Sequence, residues 1–172
     1  MTARWRTLAL AATSLALGAC AGGQPVQGRP SGREGWVVHA FHDLRFEAPA
    51  SWRATADERR LRLEAPGGGA RLEVSAPDAP FADERACLAA ADAKLAERQG
   101  GLERARRHPT RLAGRSAQLL EGDQGGWHLW AIAACDGGAQ VRIFFTAATP
   151  ASAEALETWR ALLQSARIGG EA

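Results

Sequence analysis

Asparagine and tyrosine are missing from this 172-residue chain, and lysine and methionine occur once each. Twenty of its 21 basic residues are arginine, a bias of composition more than of function. Other absences exclude whole classes of chemistry. The three cysteines include no Cys-x-x-Cys pair, which removes the usual zinc-ribbon and dithiol spacings. No glycine run leads into Lys and Ser/Thr, so there is no phosphate-cradling P-loop. Gly114-Arg115-Ser116-Ala117-Gln118 lacks the second glycine of a nucleophile elbow. Long apolar runs are missing too, since Leu8 to Leu17 is too short for a spanning helix.

What is present begins at that run. Arg4 and Arg6 precede it, and Leu17-Gly18-Ala19-Cys20 closes it with small residues before a cysteine. This resembles a bacterial lipoprotein signal with its lipobox. The resemblance implies cleavage of residues 1–19, a lipid on Cys20, and a membrane partner reached through that lipid. Ala21, in place of an aspartate, implies the outer membrane, facing the periplasm. Removing Arg4 and Arg6 leaves 19 basic residues against 19 acidic ones. A neutral mature chain outside the cytosol gives no general reason to bind nucleic acid.

About 150 residues then remain, enough for one domain with its own core. Residues 20–35, rich in Gly, Pro, Gln and Ser, are expected to form a flexible tether of about 20 Å mean span. Residues 36–168 form the expected domain, and 169–172 a short tail. Val37 to Phe41 and Leu44 to Glu47 suggest strands, ended by Pro49 and a turn near Ser51-Trp52. Arg60 to Glu64 and Arg71 to Ser75 alternate strictly around Pro66-Gly67-Gly68-Gly69, which predicts a hairpin with one wet face. Asp83 and Gly100-Gly101 bracket a helix with Cys87, Leu88, Ala91 and Leu95 on one side.

Four more strands follow, over Arg104 to Leu112, Ala117 to Glu121, Trp127 to Cys135 and Val141 to Ala147. The last two are apolar on both faces and are expected to be central. Thr149-Pro150 and Ser152 open a final helix with Leu156, Trp159 and Leu163 as its buried stripe. Trp52, Trp127, Trp130 and Trp159 are assigned to the core, although Trp127 and Trp130 face opposite ways and one could line a groove. The class is therefore α+β, a largely antiparallel sheet with helices packed on it.

Phe46-Glu47-Ala48-Pro49-Ala50-Ser51-Trp52, the turn Leu112-Ala113-Gly114-Arg115-Ser116-Ala117 and the closing Ser165-Ala166-Arg167-Ile168 resemble the PsbP/DcrB-like superfamily. That resemblance spans roughly Trp36 to Ile168. It implies an α/β/α sandwich and a role in binding or assembling proteins without catalysis, since fold alone does not carry function.

The remaining candidates are few. Cys87 and Cys135 form a pair in an oxidising compartment, and both fall on faces that a covering helix would bring together, so a disulfide is expected. His39, His42 and Asp43 come nearest to a metal set, but strand geometry sends His39 and His42 to opposite faces. His128 reads as a satisfied histidine more than as a general base. No metal, cofactor or enzymatic activity is expected. Arg104, Arg106, Arg107 and Arg111, with His108 and Arg115, make the one strong charge cluster. It is either a charge-protected edge strand or a strip facing the anions of an acidic partner or of lipid phosphates. The leading expectation is a lipid-anchored protein-binding module. The alternative is a carrier or sensor of a small apolar ligand held between sheet and helix, which needs a large cavity lined by Trp130 or Phe144.

Overall fold

Alternating side chains in the middle of the chain build one large antiparallel sheet, and where the period changes to that of a helix the chain leaves it. A computed structural model describes residues 23–77 and 79–169. Its strands are β1 (Gln24–Pro25), β2 (Arg29–Pro30), β3 (Trp36–Phe41), β4 (Leu44–Pro49), β5 (Arg53–Ala56), β6 (Arg60–Glu64), β7 (Ala70–Ser75), β8 (Glu103–Leu112), β9 (Arg115–Gln124), β10 (Trp127–Asp136), β11 (Ala139–Ala148) and β12 (Arg167–Ile168). Its helices are α1 (Glu84–Gln99), between β7 and β8, and α2 (Ala153–Ser165), between β11 and β12. The fold class is α+β.

Eight strands form the large sheet in the order β1-β5-β6-β7-β11-β10-β9-β8, and four form a small one, β12-β4-β3-β2. Every pairing is antiparallel. The two strands expected to be central, β10 and β11, are central. The inner face of the large sheet packs on α2 and the small sheet through Leu61, Leu63, Leu72, Val74, Ile143 and Phe145, meeting Leu44, Phe46 and Leu162. Phe145 lies 6.0 Å from Trp52 and 5.7 Å from both Trp130 and Trp159, centroid to centroid, spacings that suit aromatic pairs. The indole N–H of Trp52 donates to Glu154 at 3.0 Å, so this cluster buries ring area with one polar tip satisfied.

On the outer face α1 lies over β8–β10. Asp83 caps it by accepting the Ala86 N–H at 2.7 Å, and Ser152 caps α2 through the Ala155 N–H at 3.1 Å. Ala91 and Leu95 pack on Leu120, Leu129, Ala131 and Ala133. Cys87 of α1 and Cys135 of β10 are joined by a disulfide with Cα atoms 6.1 Å apart.

Three expectations need correction. The stripe of α2 is Ala155, Thr158, Trp159, Ala161 and Leu162, and Leu156 and Leu163 are only half-buried. A helix in the crease between two sheets turns its small residues inward, where backbone must come close. Trp127 is half-exposed at the first position of β10, and it is not in the core. The segment expected to be a free tether is docked from Gly23 onward. Gln24 and Pro25 pair with Ala56 and Thr55, Arg29 and Pro30 pair with Val38 and Val37, and Val26 N–H reaches Ala54 O at 3.1 Å. Glycine permits that approach: a Cβ on Gly23 would lie 2.8 Å from the Ala56 carbonyl, and one on Gly28 2.7 Å from Val37 Cγ2. Arg33 then stacks on Trp36 at 3.9 Å and ion-pairs with Glu157 of α2.

Candidate functional site

The register of the large sheet lines up two rows of side chains on its outer face. One row reads Arg53, Glu64, Arg71, Thr146, Leu129, and the next Thr55, Arg62, Glu73, Phe144, Ala131. Each row is charged over β6 and β7 and apolar over β10. Helix α1 covers only the apolar end, so the charged end stays open. Cross-strand ion pairs hold it: Glu64 accepts from Arg53 at 2.5 Å and from Arg71 at 3.3 Å, and Arg62 meets Glu73 at 3.0 Å. The Arg53 hydrogen bond holds the Glu64 carboxyl below the usual glutamate range, and the neighbouring charges of Arg53 and Arg71 add to it. From the last turn of α1, Arg98 stacks on Phe144 at 4.5 Å and makes no ion pair among the described residues.

These groups, with Pro25 of β1 at one end, line an open groove of about 730 Å³. A smaller hollow of about 260 Å³ continues it past Arg98 to Gln124 and Trp127. Four arginines (Arg53, Arg62, Arg71 and Arg98) face two glutamates there, a local excess of two positive charges. Phe144 is in the wall, whereas Trp130 is packed against the inner core. The groove is wide to solvent and salt-bridged, unlike an enclosed apolar pocket.

The arginine strip lies at the opposite edge. Strand β8 ends the eight-strand order, so one side of its backbone has no partner strand among the described residues. Pro109 fits there because an edge strand leaves one ladder unused. Arg107 turns to the outer face and bonds the Asp92 carbonyl of α1 at 3.0 Å, with the Asp92 carboxylate at 3.4 Å. Arg104, at φ +52° beside a bulge, pairs with Asp123 at 2.9 Å, and Arg115 with Asp136 at 3.1 Å. Arg111 donates to the Gly114 carbonyl at 3.2 Å. Arg106 and His108 are exposed on the inner side, across from Glu121 and Leu119. The structure thus spreads the strip over both faces of the edge.

The histidines separate as strand geometry requires. His39 is buried beside Phe46, its Nε2 has no hydrogen-bond partner among the described residues, and burial lowers its pKa. His42 sits in the exposed turn between β3 and β4. Among the described residues no three His, Cys, Asp or Glu side chains converge on a point. His128 Nδ1 lies 2.8 Å from Asp123, a contact that, with Arg104 nearby, lowers the aspartate pKa, and its ring rests 4.1 Å from Trp130. Cys20 lies outside the described residues. No helix among them is long and apolar enough to cross a membrane.

No protein-family model matches the sequence, and no curated protein does. Among solved structures, cyanobacterial PsbP (CyanoP) from Synechocystis sp. PCC 6803 superposes with a TM-score of 0.58 at 13% identity, over 89% of this chain and 99% of that one. A Pseudomonas aeruginosa protein of unknown function, PA94, gives 0.48 at 18%, over 80% and 99%. LpqN, involved in cell envelope biogenesis of Mycobacterium tuberculosis, gives 0.36 at 15%, over 86% and 90%. The chain has a PsbP-like α+β fold. The first likeness carries that statement and carries only the fold; the other two scores are too low to carry an argument.

Proposed function

We propose that this is a lipid-anchored envelope protein that binds an acidic protein partner without catalysis, taking an extended segment along the open edge of β8. The observation that carries the reading is a ten-residue edge strand with basic residues along it. A sheet edge offers main-chain donors and acceptors to an added strand. Like charge keeps a second copy of β8 from pairing there, and the same charge attracts a strand bearing carboxylates. The anchor is the lipid on Cys20, the site is the outer membrane facing the periplasm, and the Cys87–Cys135 bridge suits that oxidising compartment.

The test is capture of partners by the lipidated protein from its own membranes. It compares wild type with a variant carrying Arg106→Gln and Arg111→Gln, neither of which breaks an ion pair among the described residues. A partner with an acidic segment should be captured by wild type and lost from the variant, more completely at low salt than at high salt. Identical capture by both proteins at every ionic strength would overturn the reading.

A further inference from the structure

The docking of β1 changes what the anchor does. An unattached linker of residues 20–35 would let the domain float clear of the bilayer. With Gln24 paired to Ala56 and Gly23 pressed on the Ala56 backbone, Gln24 is only four positions from Cys20. Four residue steps reach about 14 Å at full extension. A lipid on Cys20 therefore holds the β1–β5 edge of the large sheet against the headgroups.

The groove lies beside that edge. Pro25 of β1 lines one end of it, and Arg53 and Thr55 stand on the adjoining β5. Arg62 and Arg71 follow one and two strands further in, about 5 Å per strand. Strand β8 is seven strand spacings from β1, some 34 Å away. On the lipid-anchor reading, the end of the sheet nearest the membrane carries three arginines against two glutamates, and the other end projects from it.

We propose that the outer groove docks on the headgroup phosphates of anionic lipid in the membrane that holds Cys20, so that the domain is oriented with β5–β7 on the surface and β8 presented away from it. The proposal rests on the lipid-anchor reading. Guanidinium forks match phosphate oxygens bidentately. Glu64 is divided between Arg53 and Arg71, and among the described residues the Arg98 guanidinium contacts the Phe144 ring without an ion pair, so donors stay available for phosphate. One acyl-anchor signal plus one basic surface is the combination that gives stable peripheral attachment. It also leaves β8 free for a protein strand.

The lipidated full-length protein is placed in vesicles of phosphatidylcholine and, separately, of three parts phosphatidylcholine to one part phosphatidylglycerol, with spin-labelled headgroups. A fluorophore is attached at Thr55→Cys or, as the remote control, at His108→Cys, leaving the native disulfide oxidised. Quenching should be several-fold stronger at position 55 than at 108, and phosphatidylglycerol should widen the difference. Arg53→Gln, Arg62→Gln and Arg71→Gln together should remove the phosphatidylglycerol effect. Equal quenching at the two positions, or a difference indifferent to phosphatidylglycerol, would overturn the proposal, the second result pointing to a protein ligand in the groove. Intact-mass measurement separates the two readings: acyl chains on Cys20 with equal quenching condemn the docking alone, whereas a chain without acyl groups condemns the anchor.

Discussion

The outer face of the large sheet is two surfaces joined at β11. Over β8–β10 it presents Leu120, Leu129, Ala131, Ala133 and Cys135, and α1 lies on it. Over β5–β7 the same rows present Arg53, Arg62, Glu64, Arg71 and Glu73, and no helix covers them. Both halves come from strands in one ladder with one pleat, so backbone geometry does not distinguish them. The difference is what each second side chain costs to remove from water. Apolar groups repay burial by about 25 cal/mol per Å², while an arginine or glutamate gives up hydration that one cross-strand partner only partly replaces. Helix α1 has a narrow buried stripe of Cys87, Ala91 and Leu95. It covers the half that welcomes it and is stapled there.

The comparison breaks most severely if the covered half is given the chemistry of the bare one. Ala131→Glu would place an unpaired carboxylate beneath α1, where the native side chain is fully buried. The expected cost is on the order of 4 kcal/mol, a large fraction of a domain's whole stability, and denaturant titration would measure it. A loss below about 1 kcal/mol would mean that α1 does not seal this face.

Releasing the staple is the next test. Cys87→Ser with Cys135→Ser opens a link between residues 48 apart in sequence, at a cost of about 4 kcal/mol at most by chain entropy, and a Tm fall without loss of the fold. Hydrogen exchange should rise in α1 and stay unchanged in β6 and β7. Exchange rising equally in both halves would show that the bridge stabilises the whole sheet and not the covered half.

The smallest effect belongs to the bare half. Glu64 should titrate below the usual glutamate range in an NMR pH series, because the Arg53 hydrogen bond favours its ionised form. Its folded pKa is depressed, so its contribution to stability is complete above the unfolded value and vanishes as pH falls through the folded one. Arg53→Gln should raise the Glu64 pKa and leave Tm nearly unchanged, since exposed pairs contribute little. A Glu64 pKa unmoved by that substitution would assign the shift to Arg71.

Much of this division is legible in the sequence. Strict alternation in Arg60-Leu61-Arg62-Leu63-Glu64 announces one dry and one wet face, and the continuous apolarity of Trp127 to Ile132 announces a strand covered on both sides. The Asp83 and Ser152 caps, and the pairing of Cys87 with Cys135, follow from local chemistry and helical or strand period. The groove was not readable, because Arg53, Glu64, Arg71 and Thr146 become neighbours only when four strands align in register. Nor was the docking of Gln24–Pro25, whose two residues have no apolar pattern and whose partners lie some thirty positions away. The stripe of α2 shifted for a related reason: which face turns inward depends on how closely β4 and the large sheet approach it.

By itself, then, the sequence determined the α+β class, the order of its longer strands and helices, their caps and the alternation that leaves one hairpin wet. Those properties depend on neighbours within a few residues, where rotamers, φ/ψ preference and side-chain period act directly. Only the tertiary structure decided that four residues of an expected linker are part of the sheets, that four distant arginines share one groove, and that this groove and the β8 edge stand at opposite ends of the large sheet. Each of those depends on register between segments far apart in the chain, and register is settled by burial summed over a whole face, which no local stretch of sequence contains.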